Sequence, residues 1–201
     1  MQTANYNEQM EKILSKIKES GQKPTLLLHS CCAPCSSAVI ERLKDFFDLT
    51  VYYYNPNLDG QPEYDLRATE QKRLCALLDV KCLVEKYESQ EFFSCVQGLE
   101  KEKEGGARCV KCFELRLLKT AEQAKQQGYE YFATTLTVSP LKNATILNAI
   151  GEKIEQQVGV KYLISDFKKK NGYKRSIELS NEYSLYRQNY CGCEFSKNQS
   201  N

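Results

Sequence analysis

No apolar run in the chain approaches the roughly 20 residues of a membrane-spanning helix, so the sequence predicts no membrane association. Met1–Ser20 is polar and charged and lacks the apolar core of a signal peptide, which predicts a cytoplasmic protein. Net charge is scarce too. A formal +2 excludes the bulk attraction to polyanions of a strongly basic chain and leaves nucleic-acid binding to local patches. There is no internal repeat and no linker long enough to divide the core. What remains is a chain of 201 residues, 41% hydrophobic and 27% charged, the composition of one globular domain with ample core.

Cysteine is the exception to this sparseness. Ten are present, and in a reducing compartment that number favours metal binding or catalysis over a disulfide framework. Seven fall in three short motifs: Cys31, Cys32 and Cys35; Cys109 and Cys112; Cys191 and Cys193. Cys75, Cys82 and Cys95 stand alone in helix or strand contexts and read as buried core residues.

Hydrophobic spacing places the motifs. Tyr6–Ser20 carries Met10, Ile13, Leu14 and Ile17 on one helical face. Thr25–Leu28 reads as a buried strand and Ser37–Phe46 as a helix, so the first motif occupies a strand-to-helix turn. Further strands are expected at Leu49–Tyr54, Cys82–Val84, Tyr131–Thr135 and Lys161–Ser165. Helices are expected at Glu63–Leu78, Gln90–Leu99, Phe113–Gln127, Asn143–Gln156 and Arg175–Tyr190. The alternation predicts an α/β fold: a single-domain parallel sheet flanked by helices. One domain is expected over residues 1–195, its segment from about 165 to 195 covering the site, with 196–201 a disordered tail.

In an open parallel sheet, a turn at the carboxyl end of a strand is where ligands bind, and a helix N-terminus helps hold a thiolate ionised. Cys-x-x-Cys spacing brings two thiolates to one metal or cluster. The first two motifs alone supply five sulfurs, more than a closed four-ligand zinc site uses, which favours more than one centre. Thiolate softness suits iron–sulfur clusters and zinc alike. Two other readings therefore stay open: a zinc-stabilised RNA-binding protein, and a thiol–disulfide oxidoreductase built on Cys32-Ala33-Pro34-Cys35.

Five motifs in order carry a resemblance. They are His29-Ser30-Cys31-Cys32-Ala33-Pro34-Cys35, Tyr54-Asn55-Pro56-Asn57, Arg108-Cys109-x-x-Cys112, Thr134-Thr135-Leu136-x-x-Ser139-Pro140-x-Lys142-Asn143, and Leu185-Tyr186-Arg187-Gln188-x-Tyr190-Cys191-Gly192-Cys193. Together they resemble the cobalamin-independent epoxyqueuosine reductase family from Thr25 to Cys193. The resemblance implies an oxidoreductase that reduces the epoxide of epoxyqueuosine at the tRNA wobble position, completing queuosine. It implies a [4Fe–4S] cluster, a second mononuclear metal (iron), and a nucleotide-binding Rossmann-like fold of the ATP-pyrophosphatase (HUP-like) kind. Cysteines stand where those proteins have a glycine-rich phosphate loop, so ATP use is not expected. Some family members carry aspartate at the position of Cys35.

On this resemblance Cys31, Cys32, Cys35, Cys109 and Cys112 are the expected metal ligands. Cys191 and Cys193 are expected to add ligands or to form a redox-active disulfide bond, one across a single residue being easily reduced. For proton transfer the candidates are His29, which is the only histidine, and Tyr54, Tyr186 and Tyr190. Asn55, Lys142, Asn143, Arg175, Arg187 and Tyr190 are expected to contact substrate, Lys142 and Asn143 at a helix start suited to anions. Lys168, Lys169, Lys170 and Lys174 form a basic patch suited to phosphates, and Tyr186, Arg187 and Tyr190 can stack on an unpaired base. Expected partners are tRNA and a low-potential electron donor such as ferredoxin or flavodoxin.

Overall fold

The computed structural model describes residues 5–197. Helix α1 (Tyr6–Ser20) begins at Asn5, whose side chain accepts from the Glu8 amide, and ends on Gly21 in the left-handed conformation. Strand β1 (Thr25–His29) leads into α2 (Ala33–Leu43), then β2 (Asp48–Tyr53), α3 (Gln61–Leu77), β3 (Lys81–Val84) and α4 (Ser89–Cys95). The chain continues through α5 (Ala107–Gln126), β4 (Tyr131–Thr134), a 3-10 turn (Thr135–Val138), α6 (Ala144–Val158), β5 (Lys161–Tyr162), α7 (Gly172–Glu182) and α8 (Glu194–Lys197).

All five strands pair in parallel, in the order β3-β2-β1-β4-β5. β1 is therefore central, with Leu26, Leu27 and Leu28 wholly buried. Its chain leaves to one side through β2 while β4 lies on the other, so the crevice beyond the ends of β1 and β4 is the topological switch point of the sheet. One core layer packs α1 and α2 on β1 through Met10, Leu14, Val39 and Ile40; the other packs α5 and α6 through Leu117, Ala121, Leu147 and Ile154.

Several boundaries differ from those expected. α2 starts four residues earlier than the apolar spacing predicts, because Pro34 fits the first helical turn. Cys32 is its N-cap in extended conformation and Cys35 lies inside the helix. α5 likewise takes in Cys109 and Cys112. α7 ends at Glu182 instead of Tyr190, and Tyr183–Cys193 runs without regular structure. β5 keeps only two paired residues, Lys161 with Tyr131 and Tyr162 with Phe132. Ser196 and Lys197, expected in a disordered tail, belong to α8; residues 198–201 lie outside the described ones.

Candidate metal and substrate site

Cys31, Cys32 and Cys35 converge at the switch point, their sulfurs all within 4.8 Å of one another. The turn is short and fixed at both ends. The Cys31 amide donates to Thr135 Oγ1 at 3.3 Å, and the Ser36 amide to the Cys32 carbonyl at 3.1 Å. Beneath the turn, the Ser30 and Ser36 hydroxyls both donate to Gln71 Oε1, at 2.6 and 3.0 Å, and Gln71 Nε2 donates to Cys75 Sγ at 3.3 Å. Cys75, one of the three isolated cysteines, is thus joined to the turn through a buried glutamine.

The triad shares its charge unevenly. Thiols of Cys32 and Cys35 donate to Cys31 and hold its pKa well below the ordinary thiol value. Donation to Cys31 pushes Cys32 up to about 12 and Cys35 upward as well. A soft cation that displaced the thiol protons would have three sulfurs within reach. This donor set fits an iron–sulfur cluster or a thiolate-bound metal.

A cavity of about 390 Å³ opens above the triad. Cys31, Cys32 and Cys35 line it together with Lys142, Tyr173, Arg187, Tyr190 and Cys191, among other residues. Burial opposes the charge of Lys142, but Cys191, Cys31 and Cys35 outweigh it and raise the ammonium pKa. The Tyr190 ring lies over buried Arg67, 5.2 Å from the guanidinium carbon.

The remaining cysteine motifs lie beside this triad. Cys112 and Cys193 are buried in one cluster with Phe92 and Val96, while Cys191 faces the cavity. Burial raises the Cys109 thiol and pushes Cys112 up to about 12; Cys191 and Cys193 act on both in the same direction. Among the described residues, Cys31, Cys32 and Cys35 are the group whose sulfurs all converge; Cys109 and Cys112 stand outside it.

Three residues expected at the site serve its frame. His29 is fully buried, its Nε2 3.2 Å from both Arg116 Nε and the Tyr54 carbonyl and its Nδ1 2.9 Å from Thr134 Oγ1. Burial, then the Arg116 charge, lower its pKa to about 3, which leaves a neutral ring outside the cavity lining. Asn55 is buried too, donating to the Ser30 carbonyl and accepting from Arg116 Nη2 at 2.5 Å. Arg175 is spent on Glu41, with bonds of 2.9 and 2.7 Å that clamp α7 to α2. Tyr186 lies on the surface with its amide on Glu70, outside the cavity wall, and Tyr54 is buried in the core with its hydroxyl donating to Glu91. Asn143 caps α6 through the Thr145 and Ile146 amides.

Sequence reasoning passed over Arg116 and Tyr173. Arg116 joins His29 and Asn55 to Cys112, whose sulfur is 3.9 Å from Nη1. Its one signal in the sequence is its place four residues after Cys112, on the inward face of α5.

A thiol cluster at the switch point of a parallel sheet, beside a cavity lined by a lysine, defines a cysteine-rich Rossmann-like protein whose donor set fits a metal centre. The family model described as "Epoxyqueuosine reductase QueH" matches residues 26–199, and the chain belongs to that family. A relative from Staphylococcus epidermidis, named epoxyqueuosine reductase QueH, is 43% identical over 96% of this chain and 85% of its own length. Two solved structures share the fold at low identity. A predicted subunit of tRNA methyltransferase from Methanocaldococcus jannaschii superposes with TM-score 0.52 at 18% identity, over 80% of this chain and 75% of its own. The U34-tRNA thiolase NcsA from Methanococcus maripaludis, solved with its [4Fe-4S] cluster, gives 0.51 at 10% identity over 96% and 70%. No described helix is long and apolar enough to cross a membrane.

Proposed function

We propose that the protein reduces the epoxide of epoxyqueuosine at the wobble position of tRNA to give queuosine, acting in the cytoplasm with a low-potential donor such as ferredoxin or flavodoxin. The observation that carries this reading is the Cys31, Cys32 and Cys35 triad in the lining of a cavity of about 390 Å³, on a chain of this family. Replacing the epoxide oxygen by a carbon–carbon double bond consumes two electrons and two protons and releases water. Cys31, Cys32, Cys35, Cys109 and Cys112 would hold a [4Fe–4S] cluster and a neighbouring iron between them, which would supply one-electron transfer and Lewis acidity.

The chain's own groups do the rest. Lys142 keeps its proton because thiolate charge surrounds it, and its ammonium faces the cavity where negative charge develops on the departing oxygen. Tyr190, fixed over Arg67, and Tyr173 across the cavity offer flat faces to a base, with Arg187 beside them for the phosphate or ribose. Cys191 reaches the cavity and Cys193 lies behind it; their oxidation to a disulfide releases two electrons and two protons, the stoichiometry the reaction consumes.

Anaerobic purification followed by iron, sulfide and zinc analysis, with mass spectrometry of digested tRNA, tests the reading. The expected result is more iron than one cubane cluster requires, and loss of one oxygen from epoxyqueuosine in the presence of reductant. Zinc alone after anaerobic reconstitution with iron and sulfide, with no oxygen lost, overturns it.

A further inference from the structure

We propose that the groove beside the cysteine cavity is a second RNA subsite, which holds phosphates flanking the modified nucleotide while Leu141 packs against the neighbouring base. This rests on the reading of the protein as a tRNA-acting reductase.

The groove has a volume of about 850 Å³ and runs between the Pro140–Thr145 turn and Lys168, Lys169 and Lys170. It shares Leu141 and Lys142 with the cysteine cavity, so the two compartments have a common wall. A nucleotide in one is continuous with its neighbour in the other.

Charge selects phosphate as the occupant. Four lysines line the groove against one carboxylate, Asp166. Asp166 engages Lys168 at 2.6 Å, and Lys170 lies 3.5 Å from Glu11. Among the described residues, Lys142 and Lys169 have no carboxylate within ion-pair distance. The start of α6 adds little, because Asn143 Oδ1 already accepts from the Thr145 and Ile146 amides at 2.8 and 3.3 Å. The lysines are thus the groove's anion-binding groups, and lysines read a backbone without reading its sequence.

Leu141 is the second observation. At 76% it is the most exposed of the large hydrophobic residues, and it stands on the wall between the compartments. The turn that presents it is fixed by bonds to Ser139, from the Leu141 amide to Oγ at 3.3 Å and from the Lys142 amide to the carbonyl at 3.2 Å. Drawing one nucleotide into the cysteine cavity unstacks it from its neighbour and exposes that neighbour's face. An apolar tip at the dividing wall covers the exposed face, as leucine wedges do in other nucleic-acid complexes.

The experiment uses anaerobically reconstituted protein and a synthetic anticodon stem–loop carrying epoxyqueuosine, with 2-aminopurine next to the modified position. Lys169→Glu combined with Lys170→Glu is expected to weaken binding about tenfold and to flatten the plot of log Kd against log salt by about 0.7 for each phosphate no longer neutralised. Both side chains are exposed, so melting of this variant should match wild type. Wild-type protein is expected to brighten the 2-aminopurine on binding, and Leu141→Ser to lose most of that signal. If wild type binds and reduces the stem–loop while both variants match it in Kd, salt slope and fluorescence, the proposal is overturned and the reductase reading stands. If wild type neither binds nor reduces it, both fall together.

Discussion

Gly192 lies flat against Arg67: a β-carbon at Gly192 would fall 2.9 Å from Arg67 Nη1 and 2.3 Å from Leu58 Cδ2. The glycine also has φ +120°, a conformation side chains rarely adopt, and its carbonyl accepts from the Asp59 amide at 2.8 Å. The last cysteine motif is therefore held on the loop after β2 by a contact that only a glycine allows.

Gly192→Ala should strain that contact by about 1–3 kcal/mol, borne by the Tyr183–Cys193 segment more than by the sheet. Turnover should drop about tenfold or more with the melting temperature nearly unchanged, and limited proteolysis between α7 and Cys191 should accelerate. Unchanged turnover and proteolysis would show that the docking is not needed.

Arg116 is buried between His29, Asn55 and Cys112, each on a different element. Arg116→Ala leaves those polar groups unpaired and should cost about 3–5 kcal/mol in denaturant unfolding of the metal-free protein. Lysine keeps the charge without the fork, so Arg116→Lys should recover only part of that loss.

Cys31 carries the thiolate of the metal-free triad, while Cys35 holds its proton. At neutral pH, a limiting amount of iodoacetamide should therefore label Cys31 ahead of Cys35, as read by peptide mass spectrometry. Loading with iron and sulfide should protect both. Equal labelling of the two would contradict the charge distribution.

Arg175 lowers the pKa of Glu41 by its direct hydrogen bonds. A carboxylate depressed in the folded state adds stability that is present above the unfolded value near 4.5 and is lost as pH falls through the folded one. Both side chains are over two-fifths exposed, so solvent screening keeps the contribution small. Arg175→Ala should remove that part of the acid dependence, measured by denaturation between neutral pH and pH about 3, and should leave the KM for tRNA unchanged.

Periodicity located α1 residue for residue, since its apolar positions face a continuous core. It says less about α3, where two of the apolar residues, Leu66 and Leu77, are 47% and 56% exposed while Tyr64, Arg67 and Gln71 are buried. A helix that supports a charged site buries polar groups, and hydrophobic spacing has no means of marking them. For the same reason Arg116 was invisible while the cysteines were plain: the rarity and spacing of cysteine signal chemistry, whereas arginine on a helix is ordinary.

The bond from Asp59 to Gly192 joins the first third of the chain to the stretch near its C-terminus. Closing so long a loop is entropically costly and comes late in folding. During synthesis the Cys31 turn emerges early, and the cavity gains its Cys191 wall only once that later segment has been made. A product that stops before Cys191 can thus form much of the sheet and bring the triad together, yet it lacks the wall that encloses the cavity.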